Sequence, residues 1–360
     1  MGGDCHVRRQ YAKNCERAAP ELKEKGGEIT KRFYHLMFYR YPEMLNVFNH
    51  ANQKQGRQQR ALTDAVYAAV ANIDQLEAIL PSVKRIGHKH RALGIKPEQY
   101  SIIGENLLLA MKDVLGDAAT DDILNAWEKA YNEIAKVFID VEKEMYKQAE
   151  TQKGGWRGFR KFVVEKKVKE SAVITSFYLR PLDGGPMATF LPGQYLTFKF
   201  DIPGEKHTHL RHYSLSDAPG KDYYRISVKR EDAIGDRPAG IVSTYLHRQV
   251  QEGDILEASA PAGDFILDVA SQSPVVLISG GVGLTPMVSM LNALTEAHTS
   301  REVYYIHAAI NGKHHAMKEH VAAIANERNN VHAYVCDEKQ RLRTAKKGIT
   351  IKRDLSILTG

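Results

Sequence analysis

The sequence predicts three successive folds in one chain: an all-α segment, a small antiparallel β-barrel, and an α/β unit built on a parallel sheet. Three observations predict it. From residue 16 to about 150, apolar residues recur at helical spacing with almost no strand signal. Short alternating or β-branched runs separated by turn residues then fill residues 155–267. From Pro274 onward an apolar strand, a glycine turn and a helix are followed by further strands, the β-α-β-α-β order of a parallel sheet. The domain boundaries that follow are 1–150, 155–267 and 270–360, with the polar stretch Gln152-Lys153-Gly154-Gly155 as the first break. A length of 360 residues accommodates two or three domains, and 43% hydrophobic content supports real cores.

In the helical part, Ile29, Phe33, Leu36 and Met37 share a helical face, as do Leu62, Val66, Ala69 and Val70. Pro42 and Pro81 mark helix starts, Pro97 precedes a helix over 98–115, and 124–147 is a further long helix. In the β part the strands are 159–169, 173–180, 195–200, 224–230 and 255–258. Asp183-Gly184-Gly185, Pro192-Gly193, Pro219-Gly220 and Glu252-Gly253-Asp254 turn the chain between them. In the last part, strands 275–279, 303–309 and 331–336 enclose helices 287–297 and 315–328.

The net charge is +7, but Lys and Arg are interleaved with Asp and Glu. That pattern favours a solvated surface over a nucleic-acid patch. The three cysteines, Cys5, Cys15 and Cys336, offer no disulfide framework, which suits a reducing, cytoplasmic setting. No apolar run resembles a signal peptide or approaches 18 residues, so no stable membrane association is expected.

Several motifs carry chemistry. The helical part contains Lys31-Arg32-Phe33-Tyr34-His35-Leu36-Met37-Phe38, Pro42-Glu43, Phe48-Asn49, a run from Asn52 to Leu62 that includes Gln58, then Lys89-His90 and Ile95-Lys96-Pro97-Glu98-Gln99-Tyr100. The barrel contains Gly193-Gln194-Tyr195, Arg211-His212-Tyr213-Ser214, Val228-Lys229-Arg230-Glu231, Gly240-Ile241-Val242-Ser243 and Ala260-Pro261-Ala262-Gly263-Asp264-Phe265. The α/β part contains Gly280-Gly281-Val282-Gly283-Leu284-Thr285-Pro286 between a strand and a helix. In this order, over roughly residues 16–336, they resemble the flavohaemoglobins, the flavohaemoprotein or nitric oxide dioxygenase family.

The resemblance implies an all-α globin domain, then a ferredoxin-reductase-like FAD domain, then an α/β nucleotide-binding domain. It implies haem b, FAD and NAD(P)H as cofactors. His90 matches the proximal histidine, the axial ligand that haem iron needs, whereas His88 on the same helix points elsewhere. Tyr100 and Glu144 match the partners that orient that imidazole, although Glu144 beside Lys143 and Lys147 also reads as an exposed helix residue. Tyr34 and Gln58 match the distal pair that contacts oxygen. Phe48 and Leu62 match residues that wall the pocket, a role compatible with ordinary core packing.

In the reductase part, the resemblance implies that Arg211 meets the flavin pyrophosphate as a forked cation. It likewise implies that Tyr213 and Tyr195 contact the flavin and that Ser214 sits near its N5. The stretch from Gly240 offers backbone N–H groups at a helix start. Gly280, Gly281 and Gly283 allow close approach of the nicotinamide nucleotide, with Thr285 in contact. His314 and His315 read as surface loop histidines rather than metal ligands, since no carboxylate or cysteine completes the spacing.

Two segments depart from the family. Residues 1–15 lack the amphipathic pattern of its first helix. Residues 337–360 carry seven Lys and Arg against three acids and lack its Cys-Gly-Pro turn and C-terminal aromatic segment. The nucleotide domain is therefore expected to be incomplete after about residue 336. Its three strands fall in the order 3-2-1, which leaves strand 275–279 as an exposed apolar edge.

The implied activity is dioxygenation of nitric oxide to nitrate, with electrons passing from NAD(P)H to FAD to haem. The small-molecule partners are O2, nitric oxide and NAD(P)H, and the chain is expected to be a monomer that does not bind nucleic acid. An alternative is an oxygen- or nitric-oxide-binding haem protein with impaired reductase turnover. A third reading is a flavin reductase serving an external acceptor. The choice between NADH and NADPH stays open.

Overall fold

The computed structural model describes residues 24–48, 76–337 and 340–344. Gln58 and Leu62, like residues 1–15, lie outside them. The chain divides into two compact units, residues 1–151 with 199–210, and residues 152–198 with 211–360.

The first unit is helical. Helix α1 covers residues 24–40, with Ile29, Phe33 and Met37 buried one turn apart along one face. Pro42 opens a short 3-10 turn, Pro42–Asn46, where its missing N–H is not needed. Helix α2 is Leu76–Leu93, α3 is Pro97–Leu115 and α4 is Asp121–Thr151. Pro81 does not start α2 but lies inside it. Its ring φ already suits a helix, so α2 continues at the loss of one backbone bond while Val83, Gly87 and Ala92 stay buried.

Pro97 is the first residue of α3, and the Gln99 side chain accepts the Lys96 N–H at 2.8 Å, capping the helix start. Tyr100, Gly104, Leu107 and Met111 form the inward stripe of α3. Helix α4 opens with Asp121 and Asp122, which complement the positive end of its dipole. Its buried residues are Ala126, Trp127, Ala130, Ala135 and Ala149, with one carboxylate, Glu142, among them. The core joins Ile29, Phe33, Tyr34, Met37 and Met44 to Leu107, Met111 and Trp127.

The second unit begins with an antiparallel sheet of six strands: β1 Phe159–Lys169, β2 Ile174–Pro181, β3 Tyr195–Phe200, β4 His209–Ser214, β5 Tyr224–Lys229 and β6 Ile255–Ser259. Their order is β4-β3-β6-β1-β2-β5. The two edges meet where Leu215 bridges Ile226, and this contact closes the barrel. Phe162, Phe177, Leu179, Phe198, Ile226 and Leu256 fill it. Strand β4 is absent from the sequence-based strand set, which reads that stretch only as a motif. Helix α5, Ile241–Arg248, follows Gly240.

The parallel sheet comprises β7 Val275–Gly280, β8 Val303–Ala309 and β9 Val331–Asp337. Helices α6, Leu284–Glu296, and α7, Lys318–Glu327, connect them and cover one face with Leu284, Val288, Leu291, Val321 and Ile324. A fourth strand, β10 Gln340–Thr344, pairs antiparallel with β9, so the order is β10-β9-β8-β7. The sequence reading stops at three strands. Among the described residues β7 has one neighbour, and Val276 and Ile278 are 53% and 63% exposed.

Candidate functional site

The first constellation lies between α2, α3 and α4. His90 is in the last turn of α2. Its Nδ1 lies 2.8 Å from Glu142 Oε1 on α4 and 3.0 Å from the Tyr100 hydroxyl on α3. The Tyr100 hydroxyl itself donates to the same carboxylate oxygen at 2.6 Å. Glu142 Oε1 accepts from both the Tyr100 hydroxyl and the His90 Nδ1–H, so Nδ1 carries the proton. Nε2 is then the ring nitrogen with an available lone pair. Burial pushes the Tyr100 phenol far above its usual range, with Glu142 adding to the shift, so it stays a donor. A haem iron fits this donor set: an imidazole anchored on one nitrogen by a buried carboxylate is a strong axial ligand.

The backbone around this group is tied down. Tyr146 of α4 donates to Ile95 O at 2.7 Å, and Ile95 N–H in turn bonds His90 O at 3.0 Å. Tyr131 of α4 donates to Tyr100 O at 2.6 Å. Its ring lies over Gly104, where an added Cβ would come 2.5 Å from a ring carbon. Gly87 plays the same part for α2, since a Cβ there would meet the Met145 sulfur at 3.1 Å.

Glu144 is not the partner of His90. It is exposed and accepts from Gln148 Nε2 at 3.1 Å. Two residues along a helix rotate the side chain by about 200°, so positions 142 and 144 face opposite ways. The signal was present in the sequence: Ala135, Phe138, Glu142 and Tyr146 repeat at helical spacing on the inward face.

Tyr34 is buried in α1 beside Phe38 and Phe48, with ring centroids 5.7 Å apart in both cases. Phe33, Phe38 and Phe48 thus surround the Tyr34 ring.

The second constellation is on the barrel. Tyr195 opens β3, and Arg211, Tyr213 and Ser214 lie on β4. The Tyr195 ring is 4.9 Å from His212 and packs over Gly263, where an added Cβ would lie 3.0 Å from it. Tyr213 packs against Phe198 at 5.9 Å. Burial lowers the Arg211 guanidinium and raises the Tyr213 phenol. A partly desolvated arginine with Tyr213 as its electrostatic neighbour fits a flavin with its pyrophosphate. Gly193 has φ +105°, and a Cβ there would collide with the Phe265 carbonyl. Gly240 is the cap of α5, and Ser243 Oγ ties it to Glu231.

The third constellation follows β7. Gly280 ends the strand, Gly281 takes φ +53°, Gly283 caps α6, and Thr285 Oγ1 donates to Val282 O at 3.1 Å. An added Cβ at Gly281 or Gly283 would meet nothing within 4 Å. The turn therefore leaves room for a dinucleotide against backbone N–H groups at a helix start.

Two polar groups in this unit escaped the sequence reading. Asp217 pairs with Arg225 at 3.2 Å and accepts from Tyr223 at 2.9 Å and Asn292 at 2.7 Å. Asn292 Oδ1 lies 2.7 Å from His320 Nε2. Burial opposes the Asp217 charge, but Arg225 and these donors hold its carboxyl below the usual range. The other group contains His315, which is buried rather than on the surface: the loop after β8 folds back so that its ring packs, tilted, against His307.

Comparison with known proteins agrees with this geometry. Residues 31–138 match the globin family, and residues 277–355 match the oxidoreductase NAD-binding domain. A flavohemoprotein of Halalkalibacterium halodurans is 61% identical over 89% of this chain and 78% of its own length. One of Bacillus cereus is 62% identical over 88% of this chain and 78% of its own. The crystal structure of a Malassezia yamatoensis flavohemoglobin with bound FAD and heme superimposes with a TM-score of 0.82 at 24% identity, covering 97% of this chain and 88% of that one. With a haem-type histidine, a flavin-type barrel and a nucleotide turn on one polypeptide, and identity at this level over most of its length, the chain belongs to the flavohemoprotein family.

Proposed function

We propose that the chain is an NAD(P)H-dependent nitric oxide dioxygenase that converts nitric oxide to nitrate. The observation that carries the reading is the buried Glu142 carboxylate on His90 Nδ1. A carboxylate there makes the imidazole more basic and the ligand more electron-donating, which favours activating a diatomic over storing it. When bound, haem supplies the site for oxygen, FAD the relay between two-electron and one-electron chemistry, and NAD(P)H the reducing equivalents.

The chain's own groups do the rest. His90 would hold the iron, with its proton kept on Nδ1 by Glu142 and Tyr100. Tyr34 would donate to negative charge on a distal ligand in apolar surroundings, and Gln58 would join it there. Phe48 and Leu62 would wall that pocket. Arg211 would hold pyrophosphate, Tyr195 and Tyr213 would flank the flavin, and Ser214 would lie near its N5. Gly280, Gly281, Gly283 and Thr285 would form the nucleotide turn.

No helix among the described residues is long and apolar enough to cross a membrane. With its interspersed charges and three cysteines, the chain reads as a cytoplasmic monomer whose partners are small molecules and not nucleic acid.

The test is anaerobic addition of NADH or NADPH to the haem- and FAD-loaded protein, then nitric oxide with oxygen. Ferrous haem followed by stoichiometric nitrate supports the proposal. Haem that reduces with dithionite but with neither nucleotide overturns it. That outcome favours a haem protein that binds oxygen or nitric oxide without turnover.

A further inference from the structure

A buried histidine pair near the C-terminal end of the parallel sheet has no part in the roles above. The inward-facing residues of β8 are Val303, Tyr305, His307 and Ala309, all buried. His307 is the only imidazole in that row. Its register partner on β7 is Ser279, whose Oγ lies 2.9 Å from His307 Nδ1. Nε2, the other ring nitrogen, is buried without a hydrogen-bond partner. The buried ring of His315 packs 4.8 Å away at an interplanar angle of 30°. A half-satisfied imidazole in an apolar interior is unfavourable, and a hydrocarbon side chain would fill the same space without that penalty. The position therefore serves something other than core packing.

Its two contacts indicate what. Ser279 stands immediately before the Gly280–Gly283 turn. His315 lies in the loop over residues 310–317, which is also held by Ala172 N–H donating to Lys313 O at 2.9 Å. Both segments leave the sheet at the C-terminal ends of its strands, where open α/β sheets bind their ligands. We propose that His307 is a positioning residue for the nicotinamide nucleotide, holding the glycine turn through Ser279 and the 310–317 loop through His315. The inference rests on the reading that this turn binds NAD(P)H. Burial and the adjacent His315 hold the His307 ring neutral, with its pKa down at about 4. Tyr305 shares the Ser279 hydroxyl: burial raises its phenol to about 12, and its hydrogen bond with Ser279 opposes that shift. The imidazole thus stays neutral in neutral solution and meets the Ser279 hydroxyl as a dipole, without charge.

The test uses the haem- and FAD-loaded protein. NAD+ and NADP+ are titrated separately by calorimetry, and flavin reduction is followed anaerobically by stopped flow. Ser279→Ala and His307→Phe are each expected to weaken binding of the preferred dinucleotide about fivefold, the factor one lost hydrogen bond produces. The limiting rate of flavin reduction should stay within about twofold, because no reacting atom is touched. The double variant should bind no more weakly than either single one. His307→Asn, whose amide reaches the Nδ1 position, should restore affinity. Unchanged affinity in Ser279→Ala and His307→Phe, or additive losses in the double variant, overturns the inference alone. A parent protein that binds neither dinucleotide overturns the nucleotide reading with it. If His307→Phe fails to fold, Ser279→Ala decides, since it deletes one oxygen and leaves the packing intact.

Discussion

Glu142 Oε1 stands 2.8 Å from His90 Nδ1, and the carboxylate is almost wholly buried. A buried anion on the far side of a ligand histidine raises the electron density that the imidazole delivers. Glu142→Gln keeps the shape and removes the charge. Turnover should fall by about 10- to 100-fold, with haem retained and its reduction potential raised. Glu144→Gln should change neither. Steady-state nitric oxide consumption and a spectroelectrochemical titration of each variant check this.

Gly104 leaves the space that the Tyr131 ring occupies. Gly104→Ala would drive a methyl into that ring and loosen the Tyr131 bond to the Tyr100 carbonyl. Overpacking of this kind costs about 1–3 kcal/mol. The expected result is a lower melting temperature of the helical unit and faster haem loss to an acceptor apoglobin. An unchanged melting temperature would show that Tyr131 has room to move.

His307 gives the reductase unit a pH-dependent stability. Its folded pKa, about 4, lies below the ordinary value of 6.5. Between those values the unfolded chain takes up a proton that the folded one refuses, so stability falls as pH drops from about 6.5 toward 4 and levels off below. The full effect approaches about 3 kcal/mol. Urea unfolding of the parent and of His307→Phe over this range should show a slope in the first that is reduced in the second.

Asp217 neutralises a guanidinium that is itself buried. Asp217→Ala would strand Arg225 without its counter-ion, a loss of about 3–5 kcal/mol. Replacing both residues by apolar ones of similar volume should recover much of it. A double-mutant cycle in chemical denaturation measures the difference.

Local patterning carried most of the fold. Strands β1 and β8 coincide with the sequence-based ranges because their β-branched and aromatic residues stand between clear turn residues. Strand β4 was illegible as a strand because His209-Leu210-Arg211-His212-Tyr213-Ser214 alternates poorly, with His209 alone fully buried. Pro81 misled because proline is read as a boundary, whereas tertiary packing carries α2 through it.

That His90 and Tyr100 meet, at 3.0 Å, was legible through the family resemblance. The carboxylate was misplaced by two residues, since only the phase of α4 separates 142 from 144. His315 and the Asp217 network were out of reach because burial of a loop histidine, or of an aspartate after a strand, depends on which distant helix covers it.

The Asp217–Asn292 bond links the barrel to helix α6 of the parallel sheet. Ser289 Oγ adds a second tie, donating to Asp217 O at 2.7 Å. Prising barrel and sheet apart would bring water to a guanidinium–carboxylate pair and leave two donors, the Ser289 hydroxyl and the Asn292 amide, unmatched at once. These ties oppose slow hinge motion between them, which on the proposed site assignment holds the nucleotide turn at a set distance from the flavin face. Electron entry in this unit then needs no domain closure, and its rate should depend little on solvent viscosity.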